Sequence, residues 1–589
     1  MTQSQPDSLF NEFPAVSRAE WKTKAVAELK EIPYDSIVWH TPDGFDLEPW
    51  YSHEEQTLQL DVPPGKANNS WKNCRRITVH DPESANKSAI KSFEQDTAAL
   101  EFRITDPSLC SAENLRKLFA GIETSAIAIY FSGNLPPAHE LLQTLLAIPG
   151  FATNTGGVLA GNIAASIGPE LSGWKASLPE FRVLSVDTLP YHEAGSTASQ
   201  EIALALAGAS DLLHQFQEAG IEDESVVSSM EIIMAVGSSH FTELAKPRAL
   251  RYLLQHLLKA YGASGASLPR LFARTSERNR SLLDPYTNVL RLTTEAVSAI
   301  LGGYDTLQIS AFDDGLSVSP DIAERITGNI HLILKEEGSL DRVLDPARGS
   351  HYIETLTAKL AESAWEIFRK IEAAGGLSEA TAKGIIEPMI SASVAENNKN
   401  IGKRKKTLIG VNRYAIALGT EQEENISAIA AVAEKLPAGS ETAAFELLRL
   451  KTLSFAMKSG RTPSVFIWMH GDPAISFRQA AFSEDFFKCA GFEIAGSAAL
   501  PLEEQSYSVA LQNKPDIIVL CIALKDPVPS AETITSTLSK LQPGIVPVMA
   551  GKPPKESERL INAGIDSFIY TGVNLLEMLS SFQLKTGVQ

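Results

Sequence analysis

"SSMEIIMAVG" (Ser228–Gly237), "ALRYLLQHLLKAY" (Ala249–Tyr261), "LFART" (Leu271–Thr275), "NVLRLTTEAVSAIL" (Asn288–Leu301) and "DTLQIS" (Asp305–Ser310) follow one another along the chain. The first, third and fifth are short strand-like runs, the second and fourth are helical patterns. Strand–helix alternation of this kind builds right-handed βαβ units on a parallel sheet.

The rhythm extends N-terminally to Arg76 through "RITVH", "AALEFRI", "SAIAIYF" and "FRVLSVD". Seven or eight units over about 300 residues fit a (β/α)₈ barrel better than an open sheet. The expected barrel is residues 61–396. Before it lies an arm, residues 1–60, with one amphipathic helix at "SRAEWKTKAVAEL" and irregular chain at "HTPDGFDLEPWYSHEE". After it, "NNKNIGKRKK" and the acidic "GTEQEEN" suggest a linker, 397–462, with a helix at "ETAAFELLRLKTLSFAM". A second βα series, "SVFIWM", "FEIAGS", "DIIVLCIAL", "IVPVMA" and "DSFIYT", predicts a flavodoxin-like, doubly wound domain at 463–589. Both architectures place ligands at the C-terminal ends of their strands, so one site shared face to face between them is expected.

The chain has 589 residues, 44% of them hydrophobic, and a net charge of −19 from 52 basic and 71 acidic side chains. That balance argues against nucleic acid, which needs a basic footprint. The one basic run, "GKRKK" at Gly402–Lys406, reads as solvated linker. Cys74, Cys110, Cys489 and Cys521 are scattered and suit a reducing compartment rather than a disulfide framework or zinc site. "MTQSQPDSLFNEF" is not a signal peptide, and no apolar run reaches the ~18 residues of a membrane helix, so a cytoplasmic protein is expected. There is no C-x-x-C, H-E-x-x-H, P-loop or G-x-S-x-G, and "AGNIAASIG" (Ala160–Gly168) reads as a barrel loop.

Five segments carry a resemblance: "TPDGFDLEPWY" (Thr41–Tyr51), "HEAGSTASQEIALALA" (His192–Ala207), "FTELAKPRALR" (Phe241–Arg251), "DPYTNVLRLTTEAVSAILGGYDTL" (Asp284–Leu307) and "LDPARGSHYIETLTAKLAESAW" (Leu344–Trp365). In order and over essentially the whole length, the chain resembles the methylmalonyl-CoA mutase family. The resemblance implies a barrel that binds acyl-CoA and a flavodoxin-like domain that carries adenosylcobalamin, whose Co–C bond supplies a radical. It also implies a homodimer, or a heterodimer of large and small homologous subunits.

The departures from the family pattern lie at its working positions. The family's D-x-H-x-x-G loop, whose His ligates cobalt and whose Asp orients that imidazole, reads "HGDPAISF" here. Asp472 keeps the acid, but Ala474 replaces the His and Phe477 the Gly. His470 is at the wrong spacing and reads as a water-bonded loop residue. The family's Gly-Gly turn appears as Ala550–Gly551. In the barrel, the Tyr and His of S-G-Y-H-x-x-E-A-G fall on Leu189 and Pro190. His192 lies two residues on, roughly 7 Å further if the segment is extended.

"ARTSERNRSLLDPYTN" (Ala273–Asn288) departs likewise. Against the family's R-T-H-C-Q-T-S-G, Arg270 is retained, the His is Phe272 and the Gln is Arg274. In G-G-T-Q-S-L-H the Gln is Asp305 and the His is Gln308. Arg274 and Asp305 are expected to pair across the barrel mouth and plug it. Asp284, Asn288, Gly302 and Gly303 are expected to be structural.

Two readings follow. In the first, the chain is a non-catalytic small subunit that stabilises a large catalytic partner. Adenosylcobalamin and acyl-CoA then sit on the partner, with no cofactor, metal or catalytic residue on this chain. In the second it is a self-sufficient acyl-CoA mutase or barrel enzyme with new chemistry on Arg270, Arg274 and Asp305. The arm and the linker, with Trp21, Trp50, Phe445 and Leu450 and no core of their own, are the expected contact surfaces for a partner.

Overall fold

A computed structural model describes residues 16–52, 60–63, 66–160, 167–263, 265–314, 316, 320–416 and 426–588. The first fifteen residues of the arm, most of "AGNIAASIG" and all of "GTEQEEN" lie outside the described residues.

Eight parallel strands form the barrel: β1 (Lys72–Val79), β2 (Ala99–Ile104), β3 (Ala128–Gly133), β4 (Gly157–Val158), β5 (Leu184–Asp187), β6 (Met230–Val236), β7 (Arg270–Thr275) and β8 (Thr306–Gln308). Their order, β4-β3-β2-β1-β8-β7-β6-β5, is that of a (β/α)₈ barrel. A parallel bridge between Gly157 and Arg182 closes the gap, with Val158 N–H donating to the Arg182 carbonyl at 2.7 Å. Seven strands coincide with the apolar runs of the sequence. The eighth, β4, has two residues and no periodicity to betray it. Its length is set by its neighbours, since Asn154 Oδ1 accepts from Ile129 N–H (3.0 Å) and Gly156 N–H (2.8 Å), turning the chain into register.

The arm is less irregular than expected. Trp39–His40 pairs antiparallel with Asp46–Leu47 around the turn at Gly44, whose φ of +84° suits glycine. Asp43 in that turn accepts from Ser199 N–H at 2.6 Å, at the N-terminus of helix Ala198–Glu218. A carboxylate there satisfies an orphan donor and the helix dipole, so it pins the arm to the barrel. The helix Arg18–Leu29 starts with a Ser17–Glu20 capping box, yet none of its residues is buried. Trp21 stacks on Trp50, ring centroids 5.2 Å apart.

The linker departs most from expectation. Helix Ile386–Gly402 runs through the expected boundary at 397, and helices Ile426–Ala433 and Ala443–Ser459 follow. Phe445 and Leu450 are not free for a partner. Phe445 packs into the C-terminal domain core, and Leu450 packs with Leu282, Leu283, Ile429 and Ala433. Buried Glu446 reaches back into the barrel, accepting from Ser281 Oγ (2.7 Å) and Leu283 N–H (3.2 Å). The basic run is likewise only partly solvated. Arg404 pairs with Asp485 at 3.0 Å, and Lys406 with Glu441 at 2.5 Å.

The C-terminal domain has five parallel strands: β9 (Ser464–Gly471), β10 (Glu493–Ala499), β11 (Ile517–Ala523), β12 (Val546–Ala550) and β13 (Ser567–Ile569). Their order, β10-β9-β11-β12-β13, is the 2-1-3-4-5 order of flavodoxin-like sheets, with a core on each face. Gln583 Nε2 ties its last helix to the linker through the Leu448 carbonyl and Thr452 Oγ1, both at 2.7 Å. The four cysteines are free and buried. Among the described residues no helix is long and apolar enough to cross a membrane.

Glu446→Ala should cost about 3 kcal/mol, because it strands buried Arg449 and the Ser281 and Leu283 donors. Urea unfolding monitored by tryptophan fluorescence reads this as a lower midpoint.

Candidate functional site: the barrel mouth and the C-terminal loop

Along β7 the side chains of Arg270, Phe272 and Arg274 alternate into the barrel, one per layer. At the bottom, Arg270 donates to the Thr155 and Gly156 carbonyls (2.7 and 3.0 Å) and lies 3.5 Å from Glu231. In the middle, Phe272 meets Tyr130 edge-on, centroids 5.3 Å apart. Cys74, Ala99, Ala128, Leu159, Leu189, Ile233 and Ala235 complete a buried plug around them. Tyr130 Oη anchors on Glu231 Oε1 (3.2 Å) and Thr306 Oγ1 (3.1 Å). At the top, Arg274 donates to Glu101 at 2.7 Å, and Glu101 also accepts from Ser132 Oγ at 2.6 Å. Burial pushes the Glu101 carboxyl up, but Arg274 and Arg76 pull it below its ordinary range.

The expected Arg274–Asp305 pair does not exist. Asp305 precedes β8 at the N-terminal end of the barrel, where its Oδ2 accepts from Leu271 N–H at 2.8 Å. The residue level with Arg274 on β8 is Gln308, buried in the wall. Arg270 and Asp305 are therefore bottom residues, and only Leu189, Pro190 and Arg274 stand at the mouth. Register decides this: Asp305 is three residues before the strand position that faces Arg274.

Leu189 and Pro190 begin a short helix, Leu189–Ala194, so the segment is not extended. His192 turns away from the barrel axis into a buried polar cluster, with Nε2 2.8 Å from Ser276 Oγ and Nδ1 3.4 Å from Glu201. Glu201 also receives Lys246 Nζ (2.8 Å), Thr188 Oγ1 (3.0 Å) and Ala235 N–H (2.9 Å). Burial would raise its carboxyl, but Lys246 and His192 bring it down to about 2. Asn288 bonds the Ser281 N–H and carbonyl and the Phe312 carbonyl, and Gly303 takes a φ of +82° as a helix C-cap. Both are structural, as expected.

A cleft of about 750 Å³ remains above the plug. Its floor is Glu101, Asp187, Leu189 and Arg274, and its roof is Val432, Lys435 and Leu436 of the linker. The shared, face-to-face site expected from the two architectures is not what the cleft shows, since its walls come from the barrel and the linker. Asp187, at the end of β5, is pushed up to about 6 by burial, with one bond from Leu189 N–H to ease it (3.0 Å). Glu101, Asp187 and Glu231 were not among the expected site residues. Their signal was a carboxylate inside or ending an apolar strand run, as in "AALEFRI", "FRVLSVD" and "SSMEIIMAVG".

In the C-terminal domain, Asp472 does not orient an imidazole. Its Oδ1 accepts from Ile475 N–H (3.1 Å) and caps helix Pro473–Lys488, so Ala474 and Phe477 lie in that helix and are exposed. Ala474 has no donor atom for a metal. His470 Nδ1 lies 3.0 Å from the Leu500 carbonyl rather than bonding only to water. Ala550 is buried, and Gly551 keeps a φ of +137°. Among the described residues no group of three or more His, Cys, Asp or Glu side chains is placed to hold a metal. These residues do not fit a lower-axial cobalt ligand.

A (β/α)₈ barrel joined to a five-stranded parallel sheet in flavodoxin-like order defines a two-domain α/β-barrel protein. A family model described as methylmalonyl-CoA mutase matches residues 170–440. The methylmalonyl-CoA mutase small subunit of Porphyromonas gingivalis is 30% identical, covering 99% of this chain and 100% of its own. That of Streptomyces virginiae is 27% identical, covering 99% and 98%. The large subunit of Porphyromonas gingivalis is 29% identical, covering 52% of this chain and 46% of its own. The chain belongs to the methylmalonyl-CoA mutase family.

Two outcomes test this account of the mouth. Arg274→Met should cost about 3 kcal/mol, since it leaves buried Glu101 with only the Ser132 hydroxyl and the influence of Arg76, and adding Glu101→Leu should restore most of the loss; a double-mutant cycle by chemical denaturation measures it. Asp187 has the opposite sign to a paired carboxylate. Its folded value of about 6 lies above the unfolded value, so stability falls as pH rises through roughly 4 to 6. Allowing for its partial exposure, Asp187→Asn should remove about 2 kcal/mol of that dependence, read from melting curves at pH 4.5 and 7.5.

Proposed function

We propose that this chain is the small subunit of a heterodimeric, adenosylcobalamin-dependent methylmalonyl-CoA mutase, and that it is not itself catalytic. Its role is to stabilise a homologous large subunit. That partner holds the cobalamin and the acyl-CoA and interconverts (R)-methylmalonyl-CoA and succinyl-CoA. The observation that carries the reading is the barrel axis. Phe272 packs on Tyr130, and Arg274 closes on Glu101, in a chain that aligns end to end with small subunits.

Three further features support it. Ala474 offers no cobalt ligand, and Asp472 is spent on a helix cap. Arg270 and Asp305 sit at the opposite end of the barrel from Arg274, which weakens a self-sufficient enzyme built on the three. Related large and small subunits occur together in Porphyromonas gingivalis and in Streptomyces virginiae. Four free, buried cysteines fit a reducing compartment such as the cytoplasm. The arm fits a partner contact. A helix of twelve residues is marginal in water without packing, and none of the residues of Arg18–Leu29 is fully buried within this chain.

The purified chain should bind no corrin, read from its absorption spectrum after incubation with adenosylcobalamin, and Ala474→His should not confer binding. It should co-purify one-to-one with the large subunit. Removing residues 1–45 should weaken that complex while leaving the barrel folded. Tight corrin binding with histidine–cobalt coordination in the EPR spectrum, or mutase activity of this chain alone, would refute the reading.

A further inference from the structure

The loop after the basic run folds back between barrel and C-terminal domain and sorts its side chains sharply. Leu408, Val411, Asn412 and Ala415 are buried, while Ile409, Arg413, Tyr414 and Ile416 point outward. The loop is rigidly held. Asn412 bonds Leu408 N–H (2.8 Å) and the Ile401 and Lys406 carbonyls (3.0 and 2.9 Å), Tyr414 N–H donates to Asp485 (2.6 Å), and buried Arg449 donates to the Ile416 carbonyl (2.6 Å). Arg291 donates to the Ile409 carbonyl at 2.5 Å, which lays the loop against barrel helix Pro285–Gly302. On that helix Tyr286 and Leu290, one turn apart, also face solvent.

Tyr286, Leu290, Ile409, Tyr414 and Ile416 are exposed by 62, 69, 47, 61 and 45%. At roughly 200 Å² per large side chain they present about 500 Å² of apolar surface. The Arg291 bond to the Ile409 carbonyl brings loop and helix side by side, and apolar patches of a few hundred Å² on a monomer often have a binding use. This area matches the apolar part of one face of a standard interface, about 800 Å² per partner and a little over half apolar. Two tyrosines and Arg413 are also the residue types that carry binding energy at interface centres.

We infer that this face, where helix Pro285–Gly302 meets the loop Ile409–Ile416, is a docking surface for the homologous large subunit. The inference rests on the small-subunit reading and deepens it by locating a second contact, distinct from the arm. Rigid anchors suit the role, because little side-chain freedom is lost on binding.

The test is sedimentation velocity of this chain, titrated with the large subunit of the same organism. Tyr286→Glu/Leu290→Glu/Tyr414→Glu should weaken the complex at least tenfold with an unchanged melting temperature, since all three side chains are mostly solvated. Leu290→Arg alone, the least disruptive change, should weaken it several-fold. Equal binding by wild type and by folded variants would overturn the docking surface while leaving the small-subunit reading intact. No binding by the wild type would instead sink that reading, and this inference with it. Self-association of the wild-type chain that the variants abolish would assign the face to a second copy of this chain, overturning the proposed occupant.

Discussion

A carboxylate sealed inside a closed barrel must be matched, and Glu101 on β2 is matched by Arg274 on β7 at 2.7 Å. The pair crosses the lumen and ties together two strands that are separated by β1 and β8. It sits directly above the Phe272–Tyr130 contact. Below that contact, Glu231 repeats the device with Arg270 and the tyrosine hydroxyl. Polar, apolar and polar layers therefore fill the axis. Each charged layer tolerates burial because cations and hydrogen bonds face its carboxylate, and the apolar layer excludes water between them.

That filling has a functional consequence. A barrel enzyme works through strand-end side chains that face open space. Here the axis is filled below the mouth, and the strand-end side chains Glu101, Asp187 and Arg274 floor the cleft above it. His192 is turned out to Glu201 and Ser276. In the C-terminal domain the acid that follows β9, Asp472, caps the next helix.

The linker is where the molecule becomes one body. Helix Ala443–Ser459 sends Glu446 to the barrel, Phe445 and Leu448 to the C-terminal core, and Leu450 to the small cluster over Leu282 and Leu283. One helix with three buried faces cannot be a spacer, because moving either domain would expose one of them. The same geometry explains why the loop Ile409–Ile416 is rigid while its apolar tips remain outside.

How much was legible from sequence depended on range. Strand runs such as "EIIMAV" and "IIVLCIA" declare themselves because local composition suffices, and the strand–helix alternation then dictates both domain types. The helix of the arm was legible from its amphipathic pattern, and the structure adds a capping box between Ser17 and Glu20, three positions apart. The family pattern marked which site positions had changed. Register and long-range pairing were not legible. Nothing local says that Asp305 lies at the bottom of the barrel and Gln308 level with Arg274, because that depends on how β8 slides against β7. Nor does it say that Glu101, 173 residues from Arg274, is its partner. The two-residue strand β4 and the burial of Phe445 and Leu450 belong to the same class. The sequence by itself determined the elements, their order and the side chains that stand at the positions of the family pattern. Only the tertiary structure decided which charges meet, because pairing in a closed barrel is set by strand register and by helices that pack across domains.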